Sequence, residues 1–263
     1  LFLFIVLAAT FLAGSVSNLV TVMGAVDHFL DTANTPDIII IALEERLEKF
    51  LDESNFVSEY EVLDMRAVSG DEIEIVRCQK EPGKKKYEKG NTLAIGTVPE
   101  NFSKVFDGEG NTLDLKRGEV AVAKLQAQSN DLQVGDVIKI TLSGRSLELT
   151  IKSIAKDAVF GSQMIGFKRL FLNQEDYEYL MGEEPYVHIL VYNVNCLREG
   201  QEAFLKEYRR SNFKVLSVVE KSTIKMTYIF DMLIAGILIV VSVCLILISF
   251  LILRFTILFT MQE

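Results

Sequence analysis

An uncharged run of 22 residues, from Met232 to Leu253, constrains this chain more than any other feature. A helix rises about 1.5 Å per residue, so the run would extend roughly 33 Å, and the hydrocarbon core of a bilayer is about 30 Å thick. A helix buried in a globular core seldom needs so long an apolar stretch. The run therefore predicts a membrane-spanning helix within residues 226–263, the second of two in this chain. The last residues of that range would begin a cytoplasmic extension.

The chain also opens on an apolar stretch, Leu1 to Val26, that carries no charge. A signal peptide has an apolar core of only about 7–15 residues, and this stretch lacks a basic start, an initiator Met and a clear cleavage site. Apolar residues then recur at helical spacing as far as Leu30. We predict that residues 1–34 contain a first span, already under way at Leu1 in a piece of a longer polypeptide. The span continues as an amphipathic stalk to about Asp31, and the helix breaks at Thr35-Pro36.

The segment between the two apolar runs has the composition of a water-soluble domain. Asp27 to Asp231 carries 26 Lys and Arg against 35 Asp and Glu, which accounts for the formal charge of −9. This acidic balance argues against nucleic acid as a partner, because phosphate binding needs a basic face. If both apolar runs cross one bilayer, Arg254 weakly favours a cytoplasmic tail. Whether Cys78 and Cys196 form a disulfide is left open.

Two parts of the middle segment share a strand–helix–strand pattern. β-Branched residues mark the strands, and apolar residues at three- and four-residue spacing mark the helices. The expected elements are strands at 37–43, 56–70 and 71–78 with a helix at 43–54, then strands at 186–193 and 213–220 with a helix at 198–211. We predict an α+β fold with a βαβ-type, discontinuous subdomain formed by residues 35–95 and 168–222.

The residues between these parts, 96–167, are predicted to form an inserted all-β subdomain. Turn-forming pairs are dense there, and the only helix expected is a short one at 121–130. The sequence VIKITLSGRSLELTIKSI alternates apolar and polar residues around Ser143-Gly144-Arg145, which predicts a β-hairpin. We expect a small barrel or sandwich.

No catalytic or metal-binding pattern stands out in the sequence. Metalloprotease, serine-hydrolase and P-loop motifs are absent. The two histidines, His28 and His188, have no suitably spaced ligand beside them. The stretch FDGEGNTLDLKRGE resembles a calcium loop, but its oxygen ligands give out at Leu113 and Leu115, so a surface turn is expected. We predict no catalytic, cofactor-binding or metal-ligating residues, and no enzyme activity on this chain.

Two further features suggest contacts with other molecules. The basic stretch Lys80 to Gly90 is either a solvated hairpin tip or a contact for an anionic lipid, a wall polymer or a partner. Small residues recur at regular spacing in both apolar runs, and small faces let membrane helices pack closely. These small residues are Ala9, Ala13 and Ser17 in the first run and Ala235, Ser242 and Ser249 in the second.

The order of the segments resembles a known family. In the stretch Gly118 to Asp157, the run Leu132-Gln133-Val134-Gly135-Asp136-Val137-Ile138 follows a strand and a short helix and precedes the hairpin. Together with RLFLNQEDYEYL at Arg169 to Leu180, this pattern resembles the FtsX-like ABC transporter permeases with a MacB-like extracytoplasmic core domain. The resemblance covers nearly the whole chain.

The resemblance implies a multi-pass protein of the cell membrane whose central domain is extracytoplasmic. It implies a cytoplasmic ABC ATPase and a second permease copy as partners, besides the lipid bilayer and an extracytoplasmic protein or peptide cargo. ATP hydrolysis on the partner would move the outer domain, to export a lipoprotein, peptide or antibiotic or to activate an envelope partner. No cofactor is implied for this chain.

Two other protein classes remain as alternatives. Two-span signalling receptors also place a sensor domain of this size between two membrane helices. They favour a long leading helix, whereas the stalk here is short and the all-β insert fits poorly. A membrane-tethered hydrolase is disfavoured because no nucleophile, histidine and acid are grouped in the sequence.

Overall fold

The computed structural model describes residues 22–43, 46–79, 87, 92–162, 164–165, 167–182, 187–234, 236–237 and 257. Helix α1 includes residues 22–32 and helix α6 includes residues 221–234. Between them, in chain order, lie β1 (Ile38–Leu43), α2 (Glu48–Glu53), β2 (Val57–Ser69), a 3₁₀ turn (Gly70–Glu72), β3 (Ile73–Arg77), β4 (Thr92–Thr97), β5 (Val105–Phe106), β6 (Glu119–Ala123), α3 (Lys124–Ser129), β7 (Val137–Leu142), β8 (Arg145–Asp157), β9 (Arg169–Leu172), α4 (Gln174–Met181), β10 (His188–Cys196), α5 (Gln201–Ser211) and β11 (Ser217–Glu220).

Several sequence predictions fall outside these residues. Most of both predicted spans lies there, as do the six small residues of the apolar runs and all of the basic stretch 80–90 except Tyr87. Within the described part of the chain, none of the helices has the length and apolar character needed to traverse a bilayer.

The described strands form one mixed sheet. Its order is β11-β1-β10-β2-β4-β9-β6-β8-β7-β3, with β5 paired to β8. Only the β4–β9 and β6–β8 pairs of this sheet are parallel among the described strands. The predicted α+β class is confirmed at this level.

Two interlocked split βαβ units build the first half of the sheet. β1 and β2 are both antiparallel to β10, which lies between them, so β1, α2 and β2 form one unit. β10 and β11 are both antiparallel to β1, so β10, α5 and β11 form the second unit. Each unit therefore lends its first strand to the middle of the other. We name these four strands, β11, β1, β10 and β2, the flat half of the sheet. It brings together chain segments that are more than a hundred residues apart in sequence.

Strand β1 is apolar at almost every position because the flat half is covered on both faces. Ile38 and Ile40 pack with α2 and α5 residues, including Leu51 and Phe204. Residues of the opposite face, such as Ile39, pack with α1, α6 and the 158–160 segment. A strand buried on both sides reads as a continuous hydrophobic run, which is why the sequence predicted it correctly.

The second half of the sheet curls around its own core. Val68 at the end of β2 and Ile73 and Ile75 of β3 share one apolar cluster with residues of β4, β6, β7, β8 and β9. Strands at the two ends of this series thus meet around one interior. The predicted hairpin is confirmed as β7 and β8, where Leu142 pairs with Arg145 across Ser143 (φ 46°) and Gly144 (φ 82°). Positive φ at both turn residues matches the twist of the flanking strands.

Several element boundaries differ from the sequence predictions. The helix predicted at 121–130 is shorter, because Glu119–Ala123 pairs as β6 with two neighbours. Likewise Leu43 is the last residue of β1, so α2 does not begin there. In the last unit, α5 begins at Gln201 after a turn, and β11 is limited to Ser217–Glu220. Strand pairing outweighs helical periodicity at these positions.

The Leu132–Ile138 run forms a tight turn around a buried carboxylate. Gly135 has φ +88°, a conformation that residues with a Cβ rarely adopt. The side chain of Asp136 is buried and accepts hydrogen bonds from the backbone N–H groups of Gln133 (2.9 Å) and Gln79 (2.8 Å). Because Gln79 follows β3, this one carboxylate ties the edge strand of the curled half to the turn before β7.

Replacing Asp136 by Ala would leave two backbone donors without their acceptor. We expect D136A to lower the free energy of unfolding by about 1–3 kcal/mol, measured by urea denaturation of the chain in detergent micelles. E148A is the matched control, since Glu148 is exposed on β8 and its loss should change stability by less than about 0.5 kcal/mol. Equal stability of the two variants would contradict this role for Asp136.

Candidate functional site

Helices α1 and α6 lie side by side, in opposite directions, on one face of the flat half. Asp27 is 2.6 Å from Lys225, and Asp31 is 2.8 Å from Lys221. Later residues of α6 therefore contact earlier residues of α1, which requires the helices to be antiparallel. The chain thus leaves the domain in the direction from which it arrives.

Apolar contacts fix the helix pair to the sheet. Val26 and Leu30 of α1 and Ile224 of α6 are buried in the cluster that also holds Ile39. The Phe29 ring packs edge-on against Tyr228, with centroids 5.9 Å apart. The exposed ion pairs add little stability by themselves, so this apolar seam supplies most of the attachment.

A buried ion pair lies beneath α6. Arg169 of β9 and Asp157 of β8 are 1% and 3% exposed, and the Arg169 guanidinium contacts the Asp157 carboxylate directly. The guanidinium carbon also lies 4.4 Å from the ring centroid of Phe160 and 4.8 Å from that of Phe171. Such aromatic faces offset part of the cost of burying the cation.

The residues that follow β8 form a turn, residues 157–162, that we name the docking turn. The Asp157 carboxylate accepts hydrogen bonds from the N–H groups of Val159 and Phe160, each at 3.0 Å. Those bonds close the turn, while the second carboxylate oxygen binds Arg169. The docking turn is therefore held to the sheet through one carboxylate.

Helix α6 attaches to the docking turn by two hydrogen bonds. The Tyr228 hydroxyl donates to the backbone carbonyl of Asp157 (2.6 Å), and the Ser162 hydroxyl donates to the Asp231 carboxylate (2.8 Å). Between them sits Gly161, where a Cβ would lie 2.2 Å from the Asp157 carbonyl oxygen and 2.9 Å from the Tyr228 hydroxyl. Glycine is required here because the helix and the turn approach so closely.

A cavity of about 360 Å³ is lined by residues 97–100 and 113–115 and by the end of β9, and one of about 480 Å³ lies beside the helix pair. The larger cavity is bounded by Phe29 of α1, Tyr228 and Met232 of α6, and Ile154 of β8, with Lys156 at its border. The helix pair therefore contacts the sheet through the apolar seam and the docking turn, and is not packed against β8 along its whole length.

The sequence-predicted site candidates do not converge. His28 is exposed on α1, and His188 lies in β10 with Nδ1 3.0 Å from an Asp64 carboxylate oxygen. Cys78 and Cys196 are both free thiols, and burial raises the pKa of the Cys196 thiol to about 11. Among the described residues, no group of three or more His, Cys, Asp or Glu side chains is arranged to hold a metal ion.

The calcium-like stretch forms a surface turn closed by its own backbone. The Asp107 carboxylate accepts hydrogen bonds from the N–H groups of Asn111 and Glu109, both at 2.9 Å. These bonds, that of Asn111 foremost, hold the pKa of Asp107 below its usual value. The carboxylate thus organises the turn.

Sequence reasoning missed the residues that attach the helices. Asp157 and Arg169 each look like a surface charge at the end of a strand, and nothing local indicates that they are paired. The helix pairing had a readable signal, because acids at 27 and 31 and lysines at 221 and 225 are each four residues apart. Residues four positions apart lie on the same face of a helix. Two acids on one helix and two lysines on an antiparallel helix, each pair four residues apart, can therefore form two ion pairs.

No family model matches this sequence, and no curated protein matches it. Among solved structures, the chain is similar to the crystal structure of the periplasmic region of MacB from Actinobacillus actinomycetemcomitans. That similarity has a TM-score of 0.41 and 11% sequence identity, and covers 74% of this chain and 94% of that chain. At this identity few side chains are shared, so the residues of this site are interpreted from their own contacts.

The buried pair gives a test of how the docking turn is held. R169M should lower the free energy of unfolding by about 3–5 kcal/mol, because it leaves the Asp157 carboxylate buried without its cation. R169M/D157N should lose less than R169M alone, because the double variant buries no charge. Urea denaturation in detergent micelles measures both, with R198M, at an exposed arginine, as the control. Additive losses in the double variant would contradict a coupled pair.

The Asp31–Lys221 contact predicts a pH dependence. The hydrogen bond and charge of Lys221 lower the pKa of Asp31, so the carboxylate stabilises the folded chain above its unfolded pKa of about 3.9 and loses this effect as the pH falls through its lower folded pKa. We expect wild type to have a higher urea midpoint than D31N at pH 7. The difference should disappear toward pH 2. A constant difference across this range would show that the charge of Asp31 is not involved.

Proposed function

We propose that this chain is the membrane subunit of an ABC-type transport system, in which a cytoplasmic ATPase moves an extracytoplasmic domain formed by residues 36–222. The observation that supports it most is the antiparallel helix pair on one face of the sheet. Because α1 and α6 run in opposite directions, the first residue of α1 and the last described residues of α6 lie at the same end of the helix pair. A domain held at both ends in one bilayer needs this arrangement.

The connections between helices and sheet favour a role in transmitting movement. Residue 221 is the first of α6 and Glu220 is the last of β11, so the edge strand passes into the helix without a linker. On the other side, five residues separate α1 from β1, and they include Pro36. A helix transmits displacement along its length, whereas a flexible linker would absorb it. Displacing α6 would therefore also displace β11 and the docking turn.

The finer assignments extend this proposal. ATP hydrolysis belongs to a separate subunit, and this chain is not an enzyme and binds no cofactor. The complex contains a second permease copy, lies in the cell membrane with four spans per permease, and binds no nucleic acid. The inserted subdomain is centred on residues 96–167, and strands β3, β4 and β9 share its core. The movement serves export or extraction of a lipoprotein, peptide or antibiotic, or activation of an envelope partner.

A two-span receptor is the second candidate. The direct connection from β11 to α6 would carry a ligand-induced shift inward as readily as it would carry a movement outward. The two functions differ in the cytoplasmic partner. A receptor acts on a signalling domain, whereas a permease associates with an ATPase.

Affinity purification of the tagged full-length protein from its native membranes tests the proposal. We expect an ATP-binding-cassette ATPase to co-purify. Its activity in the complex should fall in K225D, which places two acids together at the helix pair, and recover in the charge swap D27K/K225D. K214D, with the same charge change at an exposed position, is the control. A co-purifying signalling kinase, or the absence of an associated ATPase, would overturn the permease assignment.

A further inference from the structure

Strand β2 is paired along only part of one side. It has 13 residues and pairs with β10 from Val57 to Arg66. On its other side it pairs with β4 only from Arg66 to Ser69, opposite Ile95 to Thr92. Beyond Ile95, β4 turns away and continues with β9 alone as far as Thr97. The stretch 57–65 therefore lies beside no described strand on that side, although it is in the middle of the sheet order.

The hydrogen-bonding groups of this free stretch can be assigned from the pairing. In an antiparallel strand, alternate residues direct N–H and C=O to the same neighbour. The Ala67 N–H donates to the backbone carbonyl of Val187, the residue before β10. Odd-numbered residues of β2 therefore direct their backbone N–H and C=O groups toward β10. The carbonyl of Asp64 accepts instead from the Tyr177 hydroxyl (3.1 Å), on the opposite side. Tyr60 and Val62 therefore direct their backbone groups toward the space that β4 has left.

A cleft opens where β2 and β4 separate. Its volume is about 360 Å³, within the range of ligand sites. Three of the twelve described residues that line it are acidic, and none is Lys or Arg. Its lining comprises Glu61, Leu63, Thr97, Val98, Pro99, Glu100, Leu113, Asp114, Leu115, Leu172, Asn173 and Gln174.

The acidic residues of the cleft have different partners. The Glu61 carboxylate accepts hydrogen bonds from the N–H groups of Asn101 (3.3 Å) and Phe102 (3.1 Å), so it holds the neighbouring loop. Glu100 and Asp114 are exposed. Their charges are therefore available to a cationic group in the cleft, beside apolar wall residues such as Leu63.

We propose that this cleft binds an extended peptide segment that carries Lys or Arg side chains. The segment would add as a strand to β2, with its backbone paired to Tyr60 and Val62 and a basic side chain near Glu100 and Asp114. Backbone pairing supplies affinity in such complexes, and the pockets beside the edge supply specificity. None of the described residues that line the cleft belongs to α1 or α6, and the proposal rests on the pairing of β2 and the charge of the cleft, so its test does not depend on the transport assignment.

A fluorescein-labelled decapeptide of alternating Lys and Val is the probe, titrated by fluorescence anisotropy against the full chain in zwitterionic detergent. We expect saturable binding. N-methylation of alternate backbone amides, which removes donors and keeps charge, should weaken it about tenfold or more. Replacing every Lys by Glu should weaken it similarly. Absence of binding, or equal affinity of the methylated peptide, would overturn strand addition.

Two matched variants locate the site on the protein. E100K/D114K should weaken binding about tenfold, whereas E199K/E202K, with the same charge change at exposed positions near α5, should leave it unchanged. Amide hydrogen exchange gives an independent readout. Tyr60 and Val62 should exchange fast in the free protein and become protected by the probe, while Leu63 is protected in both states. Protection elsewhere without a change at Tyr60 and Val62 would place the peptide at another surface.

Discussion

The contact between Asp157 and Arg169 fixes the turn on which helix α6 docks. Taking both charges out of water costs several kcal/mol per ion, and the cost is offset best where the buried carboxylate accepts further hydrogen bonds. The carboxylate of Asp157 meets this condition through two backbone N–H groups and the guanidinium. The same residue then offers its carbonyl to Tyr228. One buried residue thus joins the curled half of the sheet, the docking turn and α6.

The strand order of the flat half explains why the helix pair would move together with the sheet. Because the split βαβ units interlock, β1 is paired with both β10 and β11, and the strand that leads into α6 lies beside the strand that follows α1. The Asp31–Lys221 contact closes this loop at the point where the helices meet the strands. Movement of either helix would therefore reach the same edge of the sheet.

Local patterns in the sequence predicted the elements whose environment is uniform along their length. β1 is buried on both faces, and the β7–β8 hairpin is defined by its alternation and by Ser143-Gly144. The sequence could not predict that β10 lies between β1 and β2, because this pairing joins residues more than a hundred positions apart and depends on the whole fold. The Asp157–Arg169 pair could not be predicted for a similar reason, because the sequence around each residue does not indicate that its charge is buried.

The opening between β2 and β4 lies where the two halves of the sheet meet. β2 belongs to the flat half up to about Arg66 and to the curled half after it, and strand twist accumulates along such a long strand. At the point of divergence, a Cβ on Gly96 would lie 2.7 Å from Cγ of Met65, so a larger residue there would require the Met65 side chain to move. β4 stays paired with β9 as far as Thr97, and β9 begins with the Arg169 that anchors the docking turn. The free edge of β2 is thus a consequence of the same strand arrangement that fixes α6, and both surfaces of the domain depend on where β4 turns.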